Sequence, residues 1–271
     1  RGKDSNSATG TINLNGGTLT VPKIVSTTNN GTRTFNFNGG TLKATSSQTA
    51  FMNLGTGTAR ANVRNGGALI NTNGYNVTIP QALLHSNIGG DNATDGGLTK
   101  SGSGTLTLSG VNTYNGATAV NGGSLIVTGT GSLATSGVTV ASTAALGGAG
   151  SISGSVTSSG QLLPGGASTV GTLTIGGGLI LSGGNIALDL NGSNNATGGG
   201  VNDLLAITGN VSASGTVIIS PSFSSTPAVN TSYTFGTYSG SLTGGASFAA
   251  GSRAVTIDTA TSNFLKLTYT G

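Results

Sequence analysis

Apolar and polar residues alternate with period two in short runs along this chain. Three segments share one form: TINLNGGTLTV at 11–21, TFNFNGGTLKA at 34–44 and ANVRNGGALIN at 61–71. Each holds an alternation, an Asn-Gly-Gly, and a second alternation. Period-two alternation predicts half-buried strands, and the glycines predict turns between them. The central glycines Gly16, Gly39 and Gly66 recur 23 and then 27 residues apart, and a fourth copy, TAVNGGSLIV, spans 118–127. Asn-Gly can close a tight hairpin or turn a corner between stacked strands. Hairpins need only about 8 to 12 residues per strand and turn, so the longer repeat favours a coil of stacked rungs. The expected inward ladder is Ile12, Leu14, Leu19 and Val21, then Phe35, Phe37 and Leu42, then Val63, Leu69 and Ile70.

The pattern continues downstream. VTVASTAALGGAGSISGSV and GTLTIGGGLILSGGNIALDL read as further rungs, with Pro164 expected at a corner or edge because it lacks a backbone donor. NGSNNATGGG reads as a loop before Asp203-Leu204-Leu205. Aromatic residues then gather: Phe223, Tyr233, Phe235, Tyr238, Phe248, Phe264 and Tyr269. A solenoid end must be covered or it will pair with another chain, so this section suits a cap or a docking surface equally. The first repeat starts almost at once, and nothing in the first seven residues resembles a cap. The expectation is a chain cut from a longer protein, or one whose first edge another subunit covers. The chain thus divides into N-terminal rungs with Asn-Gly-Gly repeats (1–96), a middle set of rungs (97–190) and a closing or docking section (191–271).

Residues 97–127 read GLTKSGSGTLTLSGVNTYNGATAVNGGSLIV. This run resembles the autotransporter-associated β-strand repeat of bacterial secreted and surface passenger regions, and it fills nearly every fixed position of that pattern. LLPGGASTVGTLTIGG (162–177) and the Asp203-Leu204-Leu205 strand resemble elements that follow the repeat in that family. The resemblance implies an all-β, right-handed parallel β-helix or β-solenoid, the handedness resting on the resemblance alone. It also implies a secreted or cell-surface setting. It implies no chemistry.

Composition narrows the choices. Gly is 50 of 271 residues and charged residues are 6%, with no glutamate, so helices are improbable. The low charge and the register between glycines and apolar residues argue against disorder. Cysteine is absent, which removes disulfides and thiolate sites. No apolar run approaches the roughly 18 residues of a membrane helix, and Arg1 opens directly into polar sequence, so no signal peptide is expected within these residues. The net charge is +4, but the basic residues are scattered and mostly in the first hundred positions, which argues against a nucleic-acid partner.

Catalytic groups are scarce. The single histidine, His85, could join Asp91 or Asp95 and a serine, yet there is no G-x-S-x-G elbow, and a loop or rung-edge histidine is the simpler reading. Asp91 and Asp95 form the only close acidic pair. They suit turn chemistry; a calcium site would want about six to eight oxygens. Thr99-Lys100-Ser101 fails as a phosphate loop because the residue before lysine is not glycine. Asn112 and Tyr114 read as a buried amide bonded to turn backbone and a ring packed on the next rung.

The sequence therefore predicts a non-enzymatic extracellular structural protein without cofactors, metals or catalytic residues. It would be a subunit of a surface filament, sheath or matrix, with copies associating head to tail. An adhesin or glycan-binding passenger fragment is the alternative, with surface glycans as partners. A carbohydrate-active enzyme comes third, disfavoured by the missing acids.

Overall fold

The protein is described from a computed structural model, in which residues 9–26, 31–55, 58–245, 247–251 and 254–271 are placed. The first seven residues, where no cap was expected, and Arg253 lie outside the described residues. The fold is an all-β parallel solenoid. The longest sheet has ten strands, from Thr18–Val21 to Leu242–Thr243, and consecutive members are separated by two strands that belong to the other faces. A second face is built from a four-stranded and an eight-stranded sheet. A third joins a two-stranded and an eight-stranded sheet. Every strand pair within the stack is parallel; the antiparallel pairs are confined to the last hairpin.

Register explains why period-two alternation produces this architecture. Alternate side chains point inward, and each rung sets them directly over those of the rung before. On the longest sheet one inward column runs Leu42, Ile70, Lys100, Val120, Val140, Ser158, Leu181 and Ala213. On the third face a column runs Val77, Leu106, Leu125, Leu146, Leu162, Ile186 and Ile219. These apolar columns form one continuous core. Stacked residues are separated by 18 positions where Ser153 lies over Thr135, and by 32 where Asp203 meets Gly171. Short rungs turn by glycine, and long ones carry loops.

The structure corrects three details of the expected ladder. Ile12 stands over Phe35 in register but is 46% exposed, because it belongs to the first described rung. Leu69 faces outward: Ala68 and Ile70 on either side of it are buried, and alternation allows only one of two neighbours inside. The fourth Asn-Gly-Gly is out of phase. The first three sit between the second face and the longest sheet, whereas Asn121-Gly122-Gly123 sits at the next corner, between the longest sheet and the third face. Phe35, Phe37, Leu42, Val63 and Ile70 are buried as expected. Pro164 ends its strand, Gln161–Pro164, opposite Gly148.

Adjacent rungs approach closely at the corners, so the glycines there are steric requirements. Gly97 has φ +69°, and a Cβ on it would fall 1.9 Å from the carbonyl oxygen of Ala117 on the next rung. A Cβ on Gly104 would fall 2.0 Å from the Tyr75 oxygen. No side chain can retreat from a backbone clash of this kind.

The far end closes differently. The strand Ser232–Tyr238 pairs antiparallel with Phe264–Tyr269, which pairs antiparallel with Val255–Asp258. A bulge between Thr234 and Gly236 lets Phe235 bury completely. Phe223 packs on Tyr233 and Tyr269 with ring centroids 5.4 and 5.7 Å apart. The aromatic section thus combines an antiparallel hairpin on one face with parallel strands, Thr216–Phe223 and Ser247–Ala250, on another.

Gly97→Ala is expected to destabilise the protein by about 3 kcal/mol or more, from left-handed strain and the backbone clash together. Gly245→Ala, where a Cβ meets nothing within 4 Å, is expected to leave the urea midpoint unchanged.

Candidate functional site

The sequence-nominated residues converge on the loop between Leu83–His85 and Leu98–Ser101. His85 Nδ1 lies 2.8 Å from Asp95 Oδ2. The Asp95 side chain is 1% exposed. Its Oδ1 accepts the amides of Gly97 and Gly116, each at 2.9 Å, and its Oδ2 accepts that of Asn115 at 2.9 Å. Asn115 returns the bond by accepting the Asp95 amide at 3.0 Å. One carboxylate therefore ties two consecutive rungs at a corner. Asp91 turns to other partners: Arg64 clamps it with contacts of 2.8 to 3.1 Å, and the Ser86 hydroxyl donates to it at 2.5 Å. The Arg64 guanidinium holds the Asp91 carboxyl below its ordinary range.

These bonds separate the elements of a triad. His85 and Asp95 make a base and its orienting acid, but the adjacent serine, Ser86, is committed to Asp91. Among the described residues no serine bonds the other ring nitrogen of His85. The oxygens of both carboxylates face protein donors, which leaves neither with the free lone pairs a hard cation needs. Among the described residues no group of three or more His, Cys, Asp or Glu side chains is placed to hold a metal.

One residue that the sequence weighed only as a failed phosphate loop proves to be a buried charge. Lys100 occupies the apolar column between Ile70 and Val120 and is fully buried. Its Nζ reaches the corner and donates toward the carbonyls of Gly102 (2.7 Å), Gly104 (2.7 Å), Gly122 (2.8 Å) and Ser101 (3.2 Å), and to Thr72 Oγ1 (3.0 Å). The corners of three rungs thus share one ammonium. Burial holds its pKa down at about 8. The only sequence signal was its place in the GLTK run, on the apolar side of an alternation.

Asn112 and Tyr114 are both buried. Asn112 is buried where the four-stranded and eight-stranded parts of the second face meet. There its side chain substitutes for a ladder: Oδ1 accepts the Leu83 amide at 2.9 Å, and Nδ2 donates to the oxygens of Gly110 and Ser132. Tyr114 is fully buried, with its hydroxyl 2.8 Å from Thr118 Oγ1. From there the hydroxyl chain continues to Thr135 and the Gly116 oxygen. Burial raises the Tyr114 pKa well above its ordinary value.

Lys100, Asn112, Tyr114 and Thr118 all fall within residues 98–127, and a family model described as the passenger-associated-transport-repeat matches that interval. The chain carries a passenger-associated-transport-repeat. Comparison with curated proteins gives no match. The repeat implies a passenger domain, secreted to the bacterial surface. Three polar residues inside the matched interval lie buried between rungs: Lys100 at one corner, Asn112 in the ladder and Tyr114 in the core.

Asp95→Ala is expected to cost about 3 kcal/mol or more, because three amide donors lose a buried acceptor. Asp91→Ala is expected to cost much less, since Arg64 is 23% exposed and regains water. Equal urea midpoints for the two variants would contradict this ranking. Lys100→Met is expected to cost about 3 kcal/mol or more, by leaving carbonyls unsatisfied. The pH response has a definite sign. Unfolded lysine titrates near 10.4, so between about pH 8 and that value the folded state binds fewer protons, and stability rises with pH. Melting between pH 8 and 9.5 should show that rise in the parent and not in Lys100→Met.

Proposed function

We propose that this chain is a non-enzymatic structural segment of a surface passenger, and that copies of it associate head to tail through their sheet edges. The observation that carries the proposal is the polarity of the two ends. At the first described rung, Gly10–Leu14, Thr18–Val21 and Ile24–Val25 each pair on one side only among the described residues. Ile12 and Val25 are exposed there. At the other end the outermost strands among the described residues are Leu242–Thr243, Ser247–Ala250 and the hairpin strand Val255–Asp258. The first two continue the parallel stack. The third is antiparallel to a strand that is itself antiparallel to the stack, so it runs in the stack direction again. All three outer strands therefore have the sense that a parallel first rung would need in order to pair with them.

The chemistry agrees with a passive shaft. The carboxylates of Asp91 and Asp95 and the ammonium of Lys100 are engaged in bonds within and between rungs. The outward positions are mostly Thr, Ser and Asn, and the few charges leave little repulsion between copies. Unpaired strand edges are the general route by which sheets join, and a heterologous contact of this kind grows into an open fibre unless it closes into a ring.

Electron microscopy across a concentration series is expected to show rods that lengthen by whole molecules as concentration rises. Deletion of residues 1–21, and separately of 223–271, should abolish that lengthening. Dispersed single rods at every concentration, or unchanged assembly in both deletions, would refute the self-association.

A further inference from the structure

The loop at 191–200 roofs a depression of about 510 Å³ on the outside of the third face. Asp189 and Ser222, neighbours in register on adjacent rungs, form its floor with Ser224. Asn191 and Asn194 enter from the loop, and Ser168 enters from the preceding rung. Among the described residues the Asp189 carboxylate makes no hydrogen bond or ion pair. Ser168 is held at φ 57°, an uncommon conformation for a residue other than glycine.

A buried polar pair supports this wall from behind. Asn202 and Asp203 are each 1% exposed. Asn202 accepts the Asn191 amide at 2.5 Å and donates to the oxygens of Asn194 and Ala196, each at 2.8 Å, which sets the shape of the loop. Asp203 accepts the amides of Gly171 at 2.8 Å and Asp189 at 2.7 Å, which fixes the strand carrying Asp189 against the neighbouring turn. Three separate chain segments are thus pre-positioned around the cavity. Such preorganisation is what a binding site requires and a plain linker does not.

The depression also continues sideways. A second one, of about 460 Å³, shares Asn194 with it. A third, of about 200 Å³, shares Thr226 with the second and offers Phe223 and Tyr269.

We propose that this row is a binding site for a neutral oligosaccharide, with Asp189 as the central acceptor of sugar hydroxyls. The lining is hydroxyls, amides and one carboxylate, a set that both donates and accepts, as a polyol does. No Lys or Arg lines any of the three depressions, so an acidic sugar or phosphate would meet Asp189 without a counter-charge. Val170 and Val201 supply apolar wall for the C–H face of a sugar ring. The sequence left glycan binding open as a property of long solenoid faces; the structure gives it an address. The proposal does not depend on self-association.

The test is isothermal titration of the dispersed, unassembled full chain with maltohexaose, cellohexaose and chitohexaose, and with hexagalacturonate as the acidic comparison. At least one neutral hexamer is expected to bind, the acidic one at least about tenfold more weakly. Asp189→Ala should weaken the binding about tenfold or more, the effect of losing a charged hydrogen-bond acceptor, without lowering the melting temperature, because the Asp189 charge opposes that of the buried Asp203. Asp91→Ala should leave the affinity unchanged. Calcium chloride alone is titrated in parallel. Failure of all three neutral hexamers to bind, binding indifferent to Asp189→Ala, or Asp189-dependent uptake of calcium in place of sugar would each overturn the assignment.

Discussion

Parallel pairing of each rung with the one below is the constraint from which the rest of this structure follows. Paired strands lie about 4.8 Å apart, and in a solenoid that spacing holds around the whole perimeter. Side chains inside must form columns, because each inward residue rests on its counterpart one rung away. Corners must stack backbone on backbone, which glycine permits. Thus the same spacing accounts for the inward run from Leu42 to Ala213 and for corners such as Gly97 and Gly104, where no Cβ fits.

Polar residues enter this frame where the ladder is imperfect. A corner turns the backbone away from its neighbour and leaves carbonyls without partners, and a buried unpaired carbonyl is costly. Lys100 answers this at one corner by sending its ammonium to four carbonyl oxygens. Asp95 does the converse and collects three amide donors. Asn112 supplies both an acceptor and a donor where two strands do not pair fully. Asn202 and Asp203 do the same around the large loop. Ser158 is the exception: its hydroxyl lies in the apolar column and has no partner among the described residues. Among the described residues Asp189, facing outward over a cavity, is the one carboxylate that makes no hydrogen bond or ion pair.

Much of this was legible in the residues. The alternation in TINLNGGTLTV and its relatives marked strands, the 23 and 27 residue spacing marked stacked rungs, and GLTK through GGSLIV marked the repeat. Asn112 was correctly read as a buried amide bonded to turn backbone because its surroundings in the chain are themselves turns and strands. The errors share a cause. Ile12 was expected inside because alternation gives the face of a residue but not whether another rung covers it. Leu69 and Ile70 were both placed inside because an apolar pair does not announce its phase. The fourth Asn-Gly-Gly was grouped with the first three because a corner's composition is the same whichever two faces it joins. Asp91 and Asp95 were both read as turn residues; Asp95 does accept a local amide as well as two from the next rung, whereas Asp91 turns to Arg64, a partner 27 positions away.

By itself, then, the chain determined its class: an all-β solenoid with glycine corners, a passenger-type repeat, and few ionisable groups. Those properties are local, written in period-two alternation and in the short distance between turn residues. Only the tertiary structure decided which corner received the Lys100 ammonium, which amides Asp95 accepts, which sense the final hairpin strand takes, and that a cavity opens beside Asp189. Each of these depends on residues 20 or more positions apart coming into register. Register is a sum over all the loop lengths between them, and no local pattern carries that sum.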